Sequence, residues 1–246
     1  MADRIEQLLH RRTDLSTFLV HLTKDTDTGT ARENVLSIAE SRTIEARTAF
    51  GLARQQDVHL RRTEATQRVV CFSETPLEHT WMMVREIQGR REAFSKYGLV
   101  FTKTICRREG CNPVWYLDIN LGHSWLTYPV RRQIERALAE STVDGHVIPE
   151  LLAEQDILQL TPFMEKMGSP NGQRREFSWE REWRHVGHFR FKSAENVVAL
   201  LAPEEDHNDL RQDLTYAWQR REVPLIDPDW GLERMISTLS RVRFDC

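Results

Sequence analysis

The sequence predicts a mixed α+β fold, and three observations lead there. Short apolar runs of strand length recur between Thr17 and Ile226, and segments of helical period lie between them. Neither the G-x-G-x-x-G of a dinucleotide fold nor the G-x-x-x-x-G-K-[ST] of a phosphate loop occurs. Third, no repeat, low-complexity segment or Pro/Gly linker divides the chain. Its 246 residues, 40% of them hydrophobic, suffice for one sizeable core, so a single domain over residues 1–246 is expected.

Taken in order, residues 1–15 read as a short polar helix with Ile5, Leu8 and Leu9 as its apolar positions. T-F-L-V-H-L-T, Thr17 to Thr23, is a buried strand that ends with His21 and Thr23 on one face. After the polar turn 24–30, helical periodicity runs from Arg32 to Ala53 through Val35, Leu36, Ala39, Ile44 and Ala46, with Gly51 near its end. Residues 55–67 are a charged loop, and V-V-C-F-S, Val69 to Ser73, is a second strand. Pro76 can open a helix at its first turn, here Glu78 to Phe94, with Trp81, Met82, Val84 and Ile87 apolar. Tyr97-Gly98 breaks it. Leu99–Ile105 and Pro113–Ile119 flank a turn at 108–112 and read as a hairpin. Helices follow over 128–139 and 148–160, then an ambiguous stretch 161–167 and the loop G-S-P-N-G-Q-R-R. F-S-W-E-R-E-W-R-H-V-G-H reads as a strand, with Glu180 and Glu182 on one face and Arg181 and Trp183 on the other. Asn196–Ala202 is a buried strand, 206–221 a helix, 223–226 a last strand and 230–239 a terminal helix.

Composition narrows the function classes. A net charge of −3 gives no global pull toward nucleic acid. Lysine occurs only at positions 24, 96, 103, 166 and 192, and the other cations are arginines. Cys71, Cys106, Cys111 and Cys246 form no C-x-x-C pair, which fits free thiols in a reducing compartment. M-A-D-R-I-E-Q-L-L-H-R-R lacks a signal core, and the longest apolar run, Val197 to Ala202, is far too short to span a bilayer. A cytoplasmic protein with no membrane role is expected.

Three polar sets sit at the ends of apolar strands, where strands fix side chains and solvent has access: His21 with Thr23, Ser73 with Glu74, and Glu180 with Glu182. Each also has a plain structural reading: a core histidine, a helix cap, a salt-bridged strand edge. Glu182, His185 and His188 have ligand-like spacing but alternate faces on a strand, and no second cluster completes a site, so no metal is expected. Cys71 lies inside an apolar strand, which argues against a nucleophile. The Arg61-Arg62 and Arg174-Arg175 pairs read as solvated loop charge.

In chain order, F-L-V-H-L-T, V-V-C-F-S-E-T-P-L, K-Y-G-L-V-F-T-K, N-P-V-W-Y-L and W-E-R-E-W-R resemble the abortive phage-resistance family that includes AbiGi, over roughly residues 18–118 and 177–186. The E-x-E ending also resembles the ADP-ribosyltransferases, which implies a split sheet with surrounding helices and NAD as substrate. On that resemblance Glu182 would stabilise the cationic ribose centre, Glu180 would orient the acceptor, and His21 would bind the nicotinamide-side ribose. Thr23 and Ser73 would line the NAD site. Phe72, Tyr97 or Trp183 would stack on nicotinamide, and Lys103 and Arg184 would hold a diphosphate or a nucleic-acid phosphate. The acceptor would be a nucleic acid or a protein. The sequence departs from that pattern in having F-S-E and no full Ser-Thr-Ser. The AbiGi label is itself antitoxin-like, which implies the alternative of a catalytically silent regulator bound to a partner toxin.

Overall fold

The computed structural model describes residues 14–61, 65–86, 93–120, 125–169 and 178–240. All but the last two residues of the helix expected over 1–15 lie outside them, as do Arg62, Ile87, Arg174, Arg175, Phe177 and Cys246. The chain is a mixed α+β protein whose backbone groups into two compact units, each drawn from separated stretches of sequence. Met1–Thr43, Phe72–Arg108 and Arg190–Cys246 form the first, and Ile44–Cys71 with Glu109–Phe189 the second. The boundary falls inside the strand Arg68–Ser73.

The first unit is built on the predicted apolar strands. Leu225–Ile226 runs parallel to Val197–Leu201, which pairs antiparallel with Gly98–Thr102, which in turn pairs antiparallel with Phe18–Leu22. Ser73 then pairs with Val20. Paired residues share a face, so His21, Leu99, Leu19 and Phe101 point one way. On that side the rings run His21–Phe72–Phe101–Phe191–Trp218, at centroid distances of 5.7, 6.0, 5.4 and 6.2 Å. The indole N–H of Trp218 donates to the Ala39 carbonyl at 2.9 Å and pins the helix Tyr216–Arg221 to the helix Ala31–Ser41. Gly98 is required by close approach: a Cβ there would lie 2.5 Å from the His21 carbonyl oxygen.

The second unit has two parts. Thr48–Ala49 pairs antiparallel with the start of Arg68–Ser73, whose Arg68 carbonyl accepts from the Gly187 N–H at 2.9 Å. The strand Glu182–Val186 pairs antiparallel with Asn112–Pro113, and Trp115–Asp118 runs parallel to Met164–Met167. Beside these lies a helical core in which Ile134 and Ala137 of the helix Thr127–Glu140 pack with Ala53, Leu60, Leu152 and Leu158. Gly51 needs its positive φ of 86°, because a Cβ would fall 2.0 Å from the Thr161 carbonyl oxygen.

Several expected elements are corrected. The helix from Arg32 stops at Ser41, because Arg42 turns left-handed (φ 54°) and donates back to the Ile38 carbonyl. Thr43–Ile44 and Thr48–Ala49 are strands. The expected helix 78–94 reduces, among the described residues, to a tight turn Leu77–His79 and the short helix Thr80–Met83. Its buried face is Leu77, Thr80 and Met83, while Trp81 and Met82 are exposed. Leu99–Ile105 and Pro113–Ile119 are no hairpin. The first is a strand only to Thr102, continues as the helix Lys103–Arg108, and pairs with Phe18–Leu22 and Val197–Leu201. The helices over 148–160 and 206–221 each divide in two, at the extended residues Gln155 and Leu214.

Candidate functional site

The E-x-E segment is built differently from the expectation that both glutamates share a strand face. Ser178–Glu180 is a single 3₁₀ turn, Arg181 sits at φ 47°, and the strand begins only at Glu182. A left-handed residue cannot continue a pleat, so Glu180 and Glu182 are not strand neighbours. The i, i+2 partner of Glu182 on its own strand is Arg184, and the two side chains form a fork. Arg184 Nε donates to Glu182 Oε1 at 2.8 Å and Nη2 to Oε2 at 2.9 Å. Arg184 Nη2 also donates to Glu165 at 3.2 Å, and Nη1 to the Pro162 carbonyl at 2.6 Å. The guanidinium carbon lies 5.0 Å from the Phe50 ring centroid. At 1% exposure Arg184 is the largest fully buried side chain of the described residues.

Around this fork the Tyr116 hydroxyl donates to Glu182 Oε2 at 3.3 Å, and Arg54 lies 3.6 Å from Glu165. Burial by itself would lower the Arg184 pKa. The Glu182 charge and hydrogen bond, helped by Glu165, outweigh it and hold the guanidinium above its ordinary value. Burial, then the Glu182 charge, pushes the Cys71 thiol well up, and the same two causes push up the Tyr116 hydroxyl. Both groups are therefore neutral at physiological pH. A third carboxylate, Glu180, also acts on the Tyr116 hydroxyl. Cys71, Tyr116, Glu182 and Arg184 come from three of the segments that carry the sequence resemblance, V-V-C-F-S, N-P-V-W-Y-L and W-E-R-E-W-R.

His21, Thr23, Phe72, Ser73, Tyr97 and Lys103 lie in the first unit, and each has its own contacts. The Thr23 hydroxyl donates to the Ala31 carbonyl at 2.9 Å and lies 3.1 Å from the Tyr97 carbonyl, tying down the turn after the first strand. Ser73 and Thr75 hydroxyls are 2.8 Å apart, and Ser73 Oγ accepts the Thr75 N–H at 3.2 Å, so Ser73 closes a local turn. Lys103 is paired with Glu74 at 2.6 Å. The Tyr97 hydroxyl donates to Asp206, and burial, then that bond, push its pKa up. His21 and Phe72 meet ring to ring. In the second unit Trp183 is 7% exposed, on the face opposite Glu182. His185 Nδ1 lies 3.1 Å from the Gly187 carbonyl, and His188 Nδ1 accepts the Ala46 N–H at 3.0 Å.

Sequence reasoning missed Glu165 and Tyr116. Glu165 lay in the ambiguous stretch 161–167, whose end folds as the strand Met164–Met167. Tyr116 stood inside a segment quoted for the resemblance but was given no role. The Glu182–Arg184 fork was missed as well: residues i and i+2 share a strand face, but Glu182 was paired with Glu180 and Arg184 was assigned to a phosphate.

A family model described as "Putative abortive phage resistance protein AbiGi, antitoxin" matches residues 37–219. The chain belongs to this AbiGi family. The matched span takes in every member of the Arg184 cluster, while His21 and Thr23 precede it. No curated protein and no solved structure matches. Among the described residues no helix is long and apolar enough to cross a membrane.

Proposed function

We propose that this chain is the antitoxin component of an abortive-infection system and acts by binding a partner toxin protein. Membership of a family described as an antitoxin supports the reading. The observation that carries it is the state of Glu182. A carboxylate that stabilises a cationic ribose centre must present an oxygen to it. Both Glu182 oxygens instead take donors from a buried guanidinium, and one also takes the Tyr116 hydroxyl. Such a fork is strong and geometrically specific, and it suits a residue whose work is to hold the strand Glu182–Val186 against Pro162 and Glu165.

The product of the gene beside this one is the natural candidate for the toxin. Expressed alone it should arrest growth, and co-expression of this chain should restore it. The purified chain should leave NAD unconsumed, with no nicotinamide released, alone or with infected-cell extract. Nicotinamide release by this chain would reverse the assignment. It would return Glu182, Glu180 and His21 to the transferase roles that the sequence resemblance implies.

A further inference from the structure

The helix Thr127–Glu140 has two unlike faces. Ile134 and Ala137, with Val130 and Leu138, are packed into the core of the second unit. The opposite side carries Tyr128 at 65% exposure, and Trp125, one turn before it, is 67% exposed. Arg132 lies over the Tyr128 ring, its guanidinium carbon 5.3 Å from the centroid, and Arg131 and Pro129 are exposed beside it. The core needs none of these side chains. Two large aromatics held in water within one turn expose apolar surface that folding does not use.

We infer that Trp125, Tyr128, Arg131 and Arg132 form the docking face for the toxin, and that the toxin meets it with surface carboxylates. The inference rests on the antitoxin reading above. Trp, Tyr and Arg are the residue types enriched at the energetic centres of protein interfaces, because each offers large rigid area with a polar end. The Tyr128–Arg132 stack presets a guanidinium for bidentate capture of a carboxylate. The charge pattern favours a protein over a nucleic acid. Glu135 and Glu140 lie on the same helix, and Arg136 is already taken by Glu140 at 2.6 Å. No lysine lies between Lys103 and Lys166, and the whole chain carries −3. A phosphate backbone would meet glutamates as soon as it extended past the two arginines, whereas one or two carboxylates fit between them.

The test uses the full chain and the purified product of the adjacent gene as probe. Trp125→Ser and Tyr128→Ser should each weaken binding by about 30-fold, the scale of an interface hot spot. The double charge reversal Arg131→Glu with Arg132→Glu should abolish growth rescue. Because all four side chains are exposed, thermal melts should match the parent. Tyr216→Ser, at a residue 75% exposed in the first unit, is the control that should bind as the parent does. A parent that neutralises the toxin while all these variants neutralise it equally would overturn the docking face and leave the antitoxin reading intact. A parent that neither binds nor neutralises it would remove both. Loss by the charge-reversed variant of binding to a fluorescent single-stranded RNA 20-mer, with toxin binding unchanged, would reassign the face to nucleic acid. A parent dimer that Trp125→Ser converts to monomer would reassign it to a second copy of the chain.

Discussion

The interiors of the two units are stabilised by opposite means. The first is centred on apolar strands and a line of rings from Phe72 through Phe101 and Phe191 to Trp218. At the centre of the second is a buried guanidinium shared by two carboxylates and a carbonyl. Apolar packing is divisible: each methylene removed costs a little, and neighbours partly close the gap. A buried ion cluster is not, because removing one member leaves the others charged, dehydrated and unpaired. The second unit should therefore fail abruptly where the first fails by degrees.

The largest effect should come from breaking that cluster. Arg184→Ala should cost about 3–5 kcal/mol, since it strands Glu182 and Glu165 with no cation at the fork. Arg184→Lys should recover only part of this, because an ammonium cannot reach both Glu182 oxygens and the Pro162 carbonyl in one plane. Urea melts of the two variants give the difference. If both melt with the parent, the cluster contributes nothing and the contrast between the units disappears.

In the first unit Phe101→Leu should cost about 1.5 kcal/mol or less, as a shape change that the surrounding side chains can absorb. Phe101 is fully buried and touches both Phe72 and Phe191 edge-on, so the same melts read the loss of two ring contacts as well. A loss as large as that of Arg184→Ala would show that the apolar core is as indivisible as the polar one. Trp218→Phe sharpens the point at a single polar atom. It leaves a smaller aromatic ring and removes the N–H that donates to the buried Ala39 carbonyl; the lost hydrogen bond alone should cost about 1–2 kcal/mol.

This contrast also separates what was legible in the sequence from what was not. In the first unit the strands Phe18–Leu22 and Val197–Leu201 were read to within a residue at each end, because F-L-V-H-L and V-V-A-L-L are largely apolar and buried on both faces. The second unit was harder. Its segments are short, and the helix expected over 148–160 breaks at Gln155, where no proline or glycine announces the end. Its central interaction joins charged residues that composition assigns to solvent. Glu180 and Glu182 were paired by spacing, and the left-handed Arg181 that separates them left no mark in the residue pattern. The helix expected after Pro76 was misjudged for a different reason. Trp81 and Met82 look like core residues, yet the burial runs through Leu77, Thr80 and Met83.

The smallest predicted effect tests a device that belongs to neither kind of core. The helix Ala31–Ser41 opens with a reciprocal cap: Thr30 Oγ1 accepts the Glu33 N–H at 3.2 Å, and Glu33 Oε2 accepts the Thr30 N–H at 2.7 Å. Thr30→Ala removes the first of these bonds together with the one that the Thr30 hydroxyl donates to Glu33 Oε2 at 3.0 Å, and should cost about 1 kcal/mol. The Thr30 bonds hold the Glu33 carboxyl below its ordinary value. A depressed carboxyl favours the folded state while it is ionised. Its contribution is therefore complete above the unfolded carboxyl pKa of about 4.3, and it fades as pH falls through the lower folded value. The Arg184 fork is buried and the cap is in water, so only the cap should also weaken in salt. Thermal melts of Thr30→Ala and the parent, at pH 7 and pH 3 and at two ionic strengths, separate the cases. The gap between the two proteins should be present at pH 7 and narrower at pH 3. A gap that widened in acid would mean that the protonated Glu33, not its carboxylate, caps the helix.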